Sequence, residues 1–308
     1  MKGPSRILLQ TAIPYAEDDW NIGRFSLLKD FLGHLQDRDG DPLFEIVARD
    51  RDPLGQTDSI LSQLDRTNFD QLWLFAVDVG DGLTAEDCAG ITRFRDRGGG
   101  LLVTRDHMDL GCSVCMLGGV GAAHHFHTKN PEPDQRRRCV DDVDTTNISW
   151  PNYHSGSNGD YQEITALDRV HPLLRDPESP DGIVRFLPAH PHEGAVGKPP
   201  NDDTARVIAT GRSKVSGNLF NIAVAFEPVG GIGAAVAQST FHHFADYNWD
   251  PRMGSPSFVT EKPGGTLVKS AQARKSVGRY VANLALWLGG RDLDDLAQDS
   301  LVLPAATH

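Results

Sequence analysis

The sequence predicts an α/β protein with a doubly wound, mostly parallel sheet in a three-layer arrangement. Short apolar runs alternate with segments of helical periodicity over the first hundred residues, which is typical of folds built from βαβ units. The run Phe69–Val77 is apolar along most of its length, as expected of a parallel strand that is covered on both faces. Three glycines at 98–100 end a predicted helix and lead directly into the apolar run Leu101–Val103.

The elements follow from apolar spacing and from the residues that begin and end helices. Predicted strands are short apolar runs bounded by polar or glycine-bearing turns, at 6–10, 44–48, 69–77, 101–103, 183–187, 205–209, 220–226 and 234–238. Predicted helices carry apolar residues at helical spacing, at about 21–36, 84–97 and 270–288. Thr84 and Asp87 have the spacing of a capping box at the start of the second helix.

The pattern indicates one domain over residues 1–290, followed by a C-terminal tail over 291–308. Periodicity is lost at about 111–160, where Gly, Asn, Asp and Pro are dense, and this segment is interpreted as an irregular insertion. Beyond residue 180 the predicted elements are β-rich additions. The tail is expected to cover a sheet edge or to form a contact in a homo-oligomer.

Composition narrows the class of partner. The 308 residues include 30 Lys and Arg against 42 Asp and Glu, a net charge of −12. This balance disfavours nucleic acid or an anionic membrane as the main partner, because both require a basic face. No apolar run approaches the length of a membrane span and the start of the chain does not resemble a secretion signal, so the expected location is cytoplasmic and the expected partner is a small-molecule substrate.

Polar side chains follow three predicted strands, at 11–20, 104–109 and 239–250. In an open α/β sheet, ligands bind beyond the carboxyl ends of the strands, so these segments are expected to meet and to form the site. The candidate catalytic residues are histidines and carboxylates suited to acid–base work: Asp106, His107, His242, His243 and Asp246. The candidate substrate-binding residues lie beside them: Asp18, Asp19, Trp20, Arg105, Asp109 and His192.

Two chemistries remain open for this cluster. His107, His242 and Asp19 could bind a divalent metal such as zinc, each ligand coming from a different loop because no HExxH-type motif is present. A metal-free acid–base pair is the alternative. Neighbouring side chains on an extended segment point in opposite directions, so one of the adjacent His242 and His243 is expected to face the site and the other to be structural.

The insertion and one later loop hold further histidines. The insertion combines three histidines with three cysteines, which indicates either a structural zinc site or a solvated loop with buried cysteines: His124, His125, His127, Cys112, Cys115 and Cys139. The segment His190–Gly194 is interpreted as a loop that either positions a histidine over the sheet or is simply polar.

Several motifs resemble the class I glutamine amidotransferase-like superfamily, and within it the ThuA-like (trehalose-utilisation) branch. They are the glycines leading into Leu101, His171-Pro172-Leu173, the strand ending in Ser239–Phe244, and the helix ending in Trp287-Leu288. The resemblance implies a flavodoxin-like fold, a site at the same sheet edge and a carbohydrate-type ligand.

The chain departs from the amidotransferases at the nucleophile. Their elbow carries a cysteine, whereas this sequence has Thr104–His107 there, and their later His-x-Glu corresponds here to His242-His243-Phe244. Glutaminase activity is therefore not expected. Three hypotheses follow: an enzyme (hydrolase, isomerase or lyase) that acts on a small, sugar-like substrate by His/Asp acid–base chemistry, a metal-dependent hydrolase that uses the same cluster, and a non-catalytic ligand-binding or scaffold protein.

Overall fold

A computed structural model describes residues 3–145, 147–297, 301, 303 and 304. The strands in these ranges are β1 (Ser5–Thr11), β2 (Phe44–Arg49), β3 (Gln71–Phe75), β4 (Gly100–Val103), β5 (His124–His125), β6 (Tyr161–Glu163), β7 (Thr165–Ala166), β8 (Phe186–Pro188), β9 (Ala195–Val196), β10 (Ala205–Arg212), β11 (Leu219–Phe226) and β12 (Ala235–Gln238). The α-helices are α1 (Ser26–His34), α2 (Ala85–Asp96), α3 (Gly118–Gly121), α4 (Asp246–Trp249), α5 (Thr266–Lys269) and α6 (Ala271–Leu288). Short 3-10 helices are Ile22–Phe25, Leu61–Gln63, Cys112–Met116, Gln135–Arg137, Pro172–Leu174, Phe241–His243, Pro251–Met253 and Leu293–Asp295.

Eight strands form the central sheet, in the order β2-β1-β3-β4-β12-β11-β10-β7. The pairs from β2 to β12 are parallel and the remaining three are antiparallel. Val103 of β4 is in register with Leu74 of β3 and with Ala237 of β12, so these three strands end at one level. Their carboxyl ends define the edge at which the predicted site lies.

The sheet is covered on both faces, which confirms the three-layer α/β fold class. Trp73 and Phe75 face a core that contains the apolar sides of α1 and α6, including Phe31 and Val277. Leu72 and Leu74 alternate with them and face a second core with α2 and α3. Residues of one strand reach two separate cores because successive side chains leave a strand on opposite faces.

Most predicted elements are present, with shifts at their ends. Thr84 and Asp87 form the predicted capping box at the start of α2. The predicted helix at 21–36 instead begins with a 3-10 turn, which Asn21 caps, and continues as α1 to His34. The strand predicted at 183–187 is wrong in position: β8 begins at Phe186 and pairs with β6 outside the central sheet.

The tail packs on the domain where the structure describes it. Leu296, Leu301 and Leu303 are buried in the core that α1 and α6 share, and Leu296 forms a β-bridge with Asp37. The rest of the predicted tail, at residues 298–300, 302 and 305–308, lies outside the described residues. Across the described ranges, no helix combines the length and the apolar character needed to cross a membrane.

Candidate metal centre and substrate cavity

A cavity of about 540 Å³ lies at the carboxyl ends of β3, β4 and β12. Three segments meet at its base through backbone hydrogen bonds. Phe241 N donates to Arg105 O at 2.9 Å, and Gly194 N donates to Ser239 O at 3.1 Å. Gly194 permits this approach, since a Cβ there would lie only 2.6 Å from the Asp106 carbonyl oxygen. The segments that follow β4, β8 and β12 are thereby held against one another.

Asp106, His190 and His242 converge at this base, and we refer to them as the triad. His190 Nε2 lies 3.3 Å from Asp106 Oδ1, and His242 Nε2 lies 3.8 Å from Asp106 Oδ2. The two imidazole rings stack, with centroids 3.6 Å apart and planes inclined by 13°. One ligand atom from each residue lies within 4.8 Å of the other two, and all three side chains are buried.

Two asparagines fix the orientation of both rings. Asn248 Nδ2 donates to Asn158 Oδ1 at 2.8 Å and to Ala189 O at 2.9 Å, so Asn248 Oδ1 accepts from His242 Nδ1 at 2.8 Å. Asn158 Oδ1 also accepts from His190 Nδ1 at 2.8 Å. Each neutral histidine therefore carries its proton on Nδ1, and each Nε2 lone pair faces Asp106.

The charge states agree with this arrangement. Burial lowers the pKa of His190 to about 3 and lowers the pKa of His242 well below its ordinary value. Burial opposes ionisation of Asp106, but the neighbouring His107, which lies against the same carboxyl, outweighs it and holds the pKa of that carboxyl well below its usual range. At neutral pH the triad presents two imidazole lone pairs and a carboxylate to one point, with no proton between them.

Such an arrangement is suited to a cation. Asp106 Oδ1 and His190 Nε2 are buried and have no hydrogen-bond partner, which is costly for polar atoms in a protein interior. Two ligands of a tetrahedral zinc ion, each about 2.0–2.1 Å from the metal, are about 3.3 Å apart, close to the separations seen here. Two nitrogens and one oxygen match a divalent transition metal that keeps a further position for water or substrate.

A second pair of histidines lines the cavity beside the triad. His107 Nδ1 lies 3.2 Å from Asp106 Oδ2. His192 Nε2 donates to Glu261 Oε1 at 2.9 Å, and this hydrogen bond lowers the pKa of Glu261. The His107 and His192 ring centroids are 5.3 Å apart, and the buried His192 Nδ1 has no hydrogen-bond partner. The cavity therefore contains nitrogen atoms able to exchange protons next to the triad.

Two residues predicted from the segment after β1 also reach the cavity. Asp19 lines it and accepts a hydrogen bond from Trp20 N at 2.7 Å. Trp20 is buried and places its ring edge-on to His242, with centroids 4.7 Å apart. The predicted metal candidates are thus only partly brought together: His242 belongs to the triad, whereas His107 and Asp19 line the cavity beside it.

Three predicted carboxylates lie outside the cavity lining, and each accepts hydrogen bonds from other parts of the protein. Asp18 is exposed and accepts from Ser257 N and Oγ. Asp109 accepts from Thr128 N and Oγ1. Asp246 is buried, which raises its pKa, and it accepts from Ser26 and Leu27 at the first turn of α1. Its place is explained by helix capping, since it satisfies the otherwise unpaired N–H groups of that turn.

Arg105 points away from the cavity. Its guanidinium is fully buried, lies over the Phe126 ring at 4.0 Å and donates to the carbonyl oxygens of Met108, His125 and Ala195. Burial lowers its pKa to about 9. The side chain connects the insertion to the end of β4, and it does not line the cavity.

His243 lies on the opposite side of its segment from His242 and belongs to a separate set that we call the Glu193 cluster. Tyr280 Oη donates to Gln238 Oε1 at 2.6 Å, and Gln238 Nε2 donates to His243 Nδ1 at 2.7 Å. His243 Nε2 then donates to Glu193 Oε1 at 3.1 Å. This histidine is fully hydrogen-bonded inside the protein and is structural.

Sequence reasoning missed three residues of the site. His190 lies in the loop that is expected to position a histidine over the sheet or to be simply polar, but it is not itself among the candidate site residues, and Asn158 and Glu261 lie in irregular segments without periodicity. One sequence signal points to His190: the segment His190-Pro191-His192 has histidine at alternate positions around a proline, which restricts the backbone.

In the described part of the insertion, the candidate histidines and cysteines do not form a group with metal-ligand spacing. Within the described residues, the group with metal-ligand spacing is the triad, and it includes no residue of the insertion. All four cysteines are free thiols, and burial raises the pKa of Cys115 to about 11. His124 is buried, and burial lowers its pKa well below the ordinary value. Of the three cysteines in the insertion, Cys112 and Cys139 are buried, as the alternative of a solvated loop with buried cysteines expects, and Cys115 is half-buried.

The central sheet, with helices on both faces and extra strands at one end, is a flavodoxin-like α/β fold. Family models and curated proteins give no match to the sequence. Among solved structures, a ThuA-like protein from Parabacteroides merdae is 16% identical over 85% of this chain and 96% of that one, with a TM-score of 0.43.

A ThuA-like protein from Bacteroides uniformis is 10% identical over 94% of this chain and 93% of that one, with a TM-score of 0.42. The glutaminase domain of a CTP synthase from Trypanosoma brucei, with bound acivicin, is 14% identical over 97% of this chain and 100% of that one, with a TM-score of 0.43. These neighbours are of the same classes that the sequence resembles, ThuA-like and glutamine amidotransferase-like proteins. Similarity at this level says nothing of activity, so the chemistry must be argued from the site itself.

Proposed function

We propose that this protein is a metal-dependent hydrolase that acts on a small polar substrate in the cavity. The observation that carries the proposal is the convergence of His190 Nε2, His242 Nε2 and the Asp106 carboxylate on one buried point, where Asp106 Oδ1 and His190 Nε2 have no hydrogen-bond partner. A buried arrangement of this kind is stabilised when a cation occupies it.

The chemistry follows from the ligand set. Asp106, His190 and His242 would hold a divalent metal, which would lower the pKa of a bound water to about 7 and polarise the bond to be cleaved. In the hydrolysis, the water oxygen bonds to the electrophilic atom of the substrate, one water proton passes to a base, and the leaving group receives a proton as its bond breaks. His107 and His192 line the cavity next to the triad and supply groups for these transfers.

The asparagines support the same proposal. Metal-bound histidines usually donate their other ring N–H to a nearby acceptor, which fixes the tautomer and the ring orientation. Asn158 and Asn248 accept the Nδ1 protons of both triad histidines in this way. The ThuA-like resemblance of the sequence favours a carbohydrate-type substrate for the reaction.

A metal-free acid–base enzyme is the second candidate, and the His192–Glu261 pair favours it. A carboxylate that accepts from one ring nitrogen leaves the other nitrogen as a base, and His192 Nδ1 has no partner in the protein. In this alternative, His107 and His192 exchange protons with the substrate and the triad only shapes the base of the cavity.

Metal analysis separates the two candidates. We would purify the protein without a His-tag or chelator and measure Zn, Fe, Mn and Ni by mass spectrometry, for the wild type, Asp106→Asn, His242→Gln and the matched control Asp109→Asn. The proposal expects close to one metal per chain in the wild type and the control, and loss of metal in both triad variants. Hydrolysis of neutral esters and amides should then require the metal. Activity on such compounds that is independent of metal would favour the acid–base enzyme, and a wild-type protein purified without metal would contradict the metal-dependent hydrolase.

A further inference from the structure

The walls of the cavity carry acidic and apolar side chains but no lysine or arginine among the described residues, and this composition restricts the substrate. Of the described residues that line the cavity, the charged ones are the carboxylates Asp19, Asp106 and Glu261, and none is Lys or Arg. The nearest arginine along the chain, Arg105, is buried, and its guanidinium donates to backbone carbonyl oxygens. Lys262 follows Glu261 but is exposed and lies outside the lining.

The lining histidines do not replace a basic residue. His107 lies against Asp106 and His192 against Glu261, so a positive charge on either ring is already balanced by a carboxylate. His190 and His242 face the proposed metal and are not available to a distant part of the substrate. A metal at the triad would interact with the reacting bond and with Asp106. If the substrate carried an anionic group away from the reacting bond, that group would therefore find no cationic partner in the rest of the cavity.

The outer wall is apolar. Phe258 and Val79 line the mouth of the cavity and are 57% and 75% exposed, which is high for large apolar side chains. Ile148 and Leu110, which are half-buried, also line the cavity. Exposed apolar side chains grouped at the mouth of a cavity mark a surface that contacts a ligand.

We infer that the substrate of this site is uncharged outside the bond that is cleaved and presents an apolar portion to the outer wall, so that phosphorylated and carboxylate-bearing compounds are excluded. The inference rests on the proposed function and specifies its substrate class. Exclusion arises because an anionic group would lie near Asp19 and Glu261 without a compensating partner.

A matched pair of metal-binding probes tests the inference without knowledge of the natural substrate. Benzohydroxamic acid and 4-carboxybenzohydroxamic acid bind metals through the same group and differ by one carboxylate. We would measure the affinity of both for the zinc-loaded full chain by calorimetry at two salt concentrations. We expect the neutral probe to bind at least tenfold more tightly, with a smaller ratio at high salt, because salt screens repulsion between charges.

A charge-introducing variant makes the test specific. Val79→Lys places a cation at the exposed mouth and should reduce the preference for the neutral probe about two- to fivefold, the range expected of an exposed ion pair. Val229→Lys is the matched control, because Val229 is 53% exposed in the turn between β11 and β12, at the opposite edge of the sheet. The control should leave the ratio unchanged.

The outcomes separate this inference from the proposed function. Equal or tighter binding of the carboxylated probe to the wild type overturns the substrate class and leaves a metal hydrolase in place. An equal effect of both lysine variants also overturns it, since the preference would then not originate in the cavity. Stoichiometric zinc at the triad with no binding of either probe overturns the proposed function itself, because the metal would be closed to ligands.

Discussion

Two buried clusters of histidine and carboxylate lie on opposite sides of the segment 239–243, and they differ in one property. In the Glu193 cluster both carboxylate oxygens of Glu193 and both ring nitrogens of His243 have partners: Glu193 accepts from Ser155, Gln162, His243 and Ser239, and His243 accepts from Gln238. In the triad, equally buried atoms of Asp106 and His190 have none. The two clusters share their residue types and their burial. Hydrogen-bond satisfaction is therefore the property that distinguishes a structural cluster from a candidate site in this protein.

The largest effect is expected from Asp106→Asn, which should give the buried atoms of the triad a hydrogen-bond partner within the protein, as the Glu193 cluster already has. Loss of the carboxylate should reduce metal affinity more than 100-fold, because the ligand charge is lost. The new amide can donate to the His190 Nε2 lone pair, so the metal-free protein should unfold at equal or higher free energy, by about 1 kcal/mol. Metal titration and denaturant unfolding measure the two effects. A metal-free protein destabilised by several kcal/mol would show that Asp106 is a structural carboxylate like Glu193.

The converse change is Glu193→Gln, which should affect stability and leave metal binding intact. The substituted amide places a donor against side chains that already donate, so the free energy of unfolding should fall by about 2–4 kcal/mol. Glu261→Gln is the matched control: Glu261 is less buried and accepts from one histidine, so the loss there should be about 1 kcal/mol or less. Loss of metal from a folded Glu193→Gln variant would contradict the division into two clusters.

A smaller effect is expected from the asparagine that both triad histidines depend on. Asn158→Ala removes the acceptor of His190 Nδ1 and a partner of Asn248, so the rings lose their fixed orientation. Metal affinity should fall about 10- to 100-fold, the usual range for such outer contacts. Asn221→Ala is the control, since Asn221 is buried and donates to Val196 O away from the triad. Competition with a chromophoric chelator gives both affinities, and equal losses in the two variants would argue against an orienting role.

The smallest effect is a pH dependence that originates outside both clusters. Burial, aided by Arg206 and Arg175, lowers the pKa of His171 to about 3; Glu227, 3.2 Å away, also contacts Arg206 and does not offset this. Between pH 6.5 and 3 the unfolded chain binds more protons at this residue than the folded chain, so the free energy of unfolding should fall as pH decreases, by about 1 kcal/mol per pH unit.

His171→Asn tests this contribution, because asparagine can still accept from Leu173 N at the start of its 3-10 turn while it does not titrate. Unfolding of metal-free protein at pH 6.5 and 5.5 should show a shallower pH dependence in the variant. An unchanged slope would assign the acid sensitivity to other groups, the triad histidines first among them.

The sequence predicted the sheet edge and part of the site, for identifiable reasons. Apolar runs and the capping box at Thr84 depend on local spacing, so β3, β4, α2 and α6 could be located from the sequence alone. The side chains at the ends of β4 and β12 follow from the same strands, which is why Asp106 and His242 could be placed at one edge. The sequence predicted that one of His242 and His243 faces the site and that the other is structural, but it did not indicate which.

The rest could not be read from local pattern. His190 reaches the triad because the irregular segment after β8 is held against β12 through Gly194, a contact between distant parts of the chain. Asp246 looked equivalent to Asp106, but its direction is decided by the N-terminus of α1, more than 200 residues earlier. Partners of this kind decide whether a buried carboxylate is satisfied or free to bind, and no spacing rule encodes them.

Gly194 gives the site a signature in sequence variation. A Cβ at this position would lie 2.5 Å from Arg105 Nε and 2.6 Å from the Asp106 carbonyl oxygen. Any residue larger than glycine would therefore separate the His190 loop from Asp106, even though Gly194 contributes no side chain to the site. In a deep mutational scan selected for activity, intolerance at position 194 should accompany intolerance at 106, 190 and 242. A selection for folding alone should spare 106, so the two scans together would outline the site before any substrate is known.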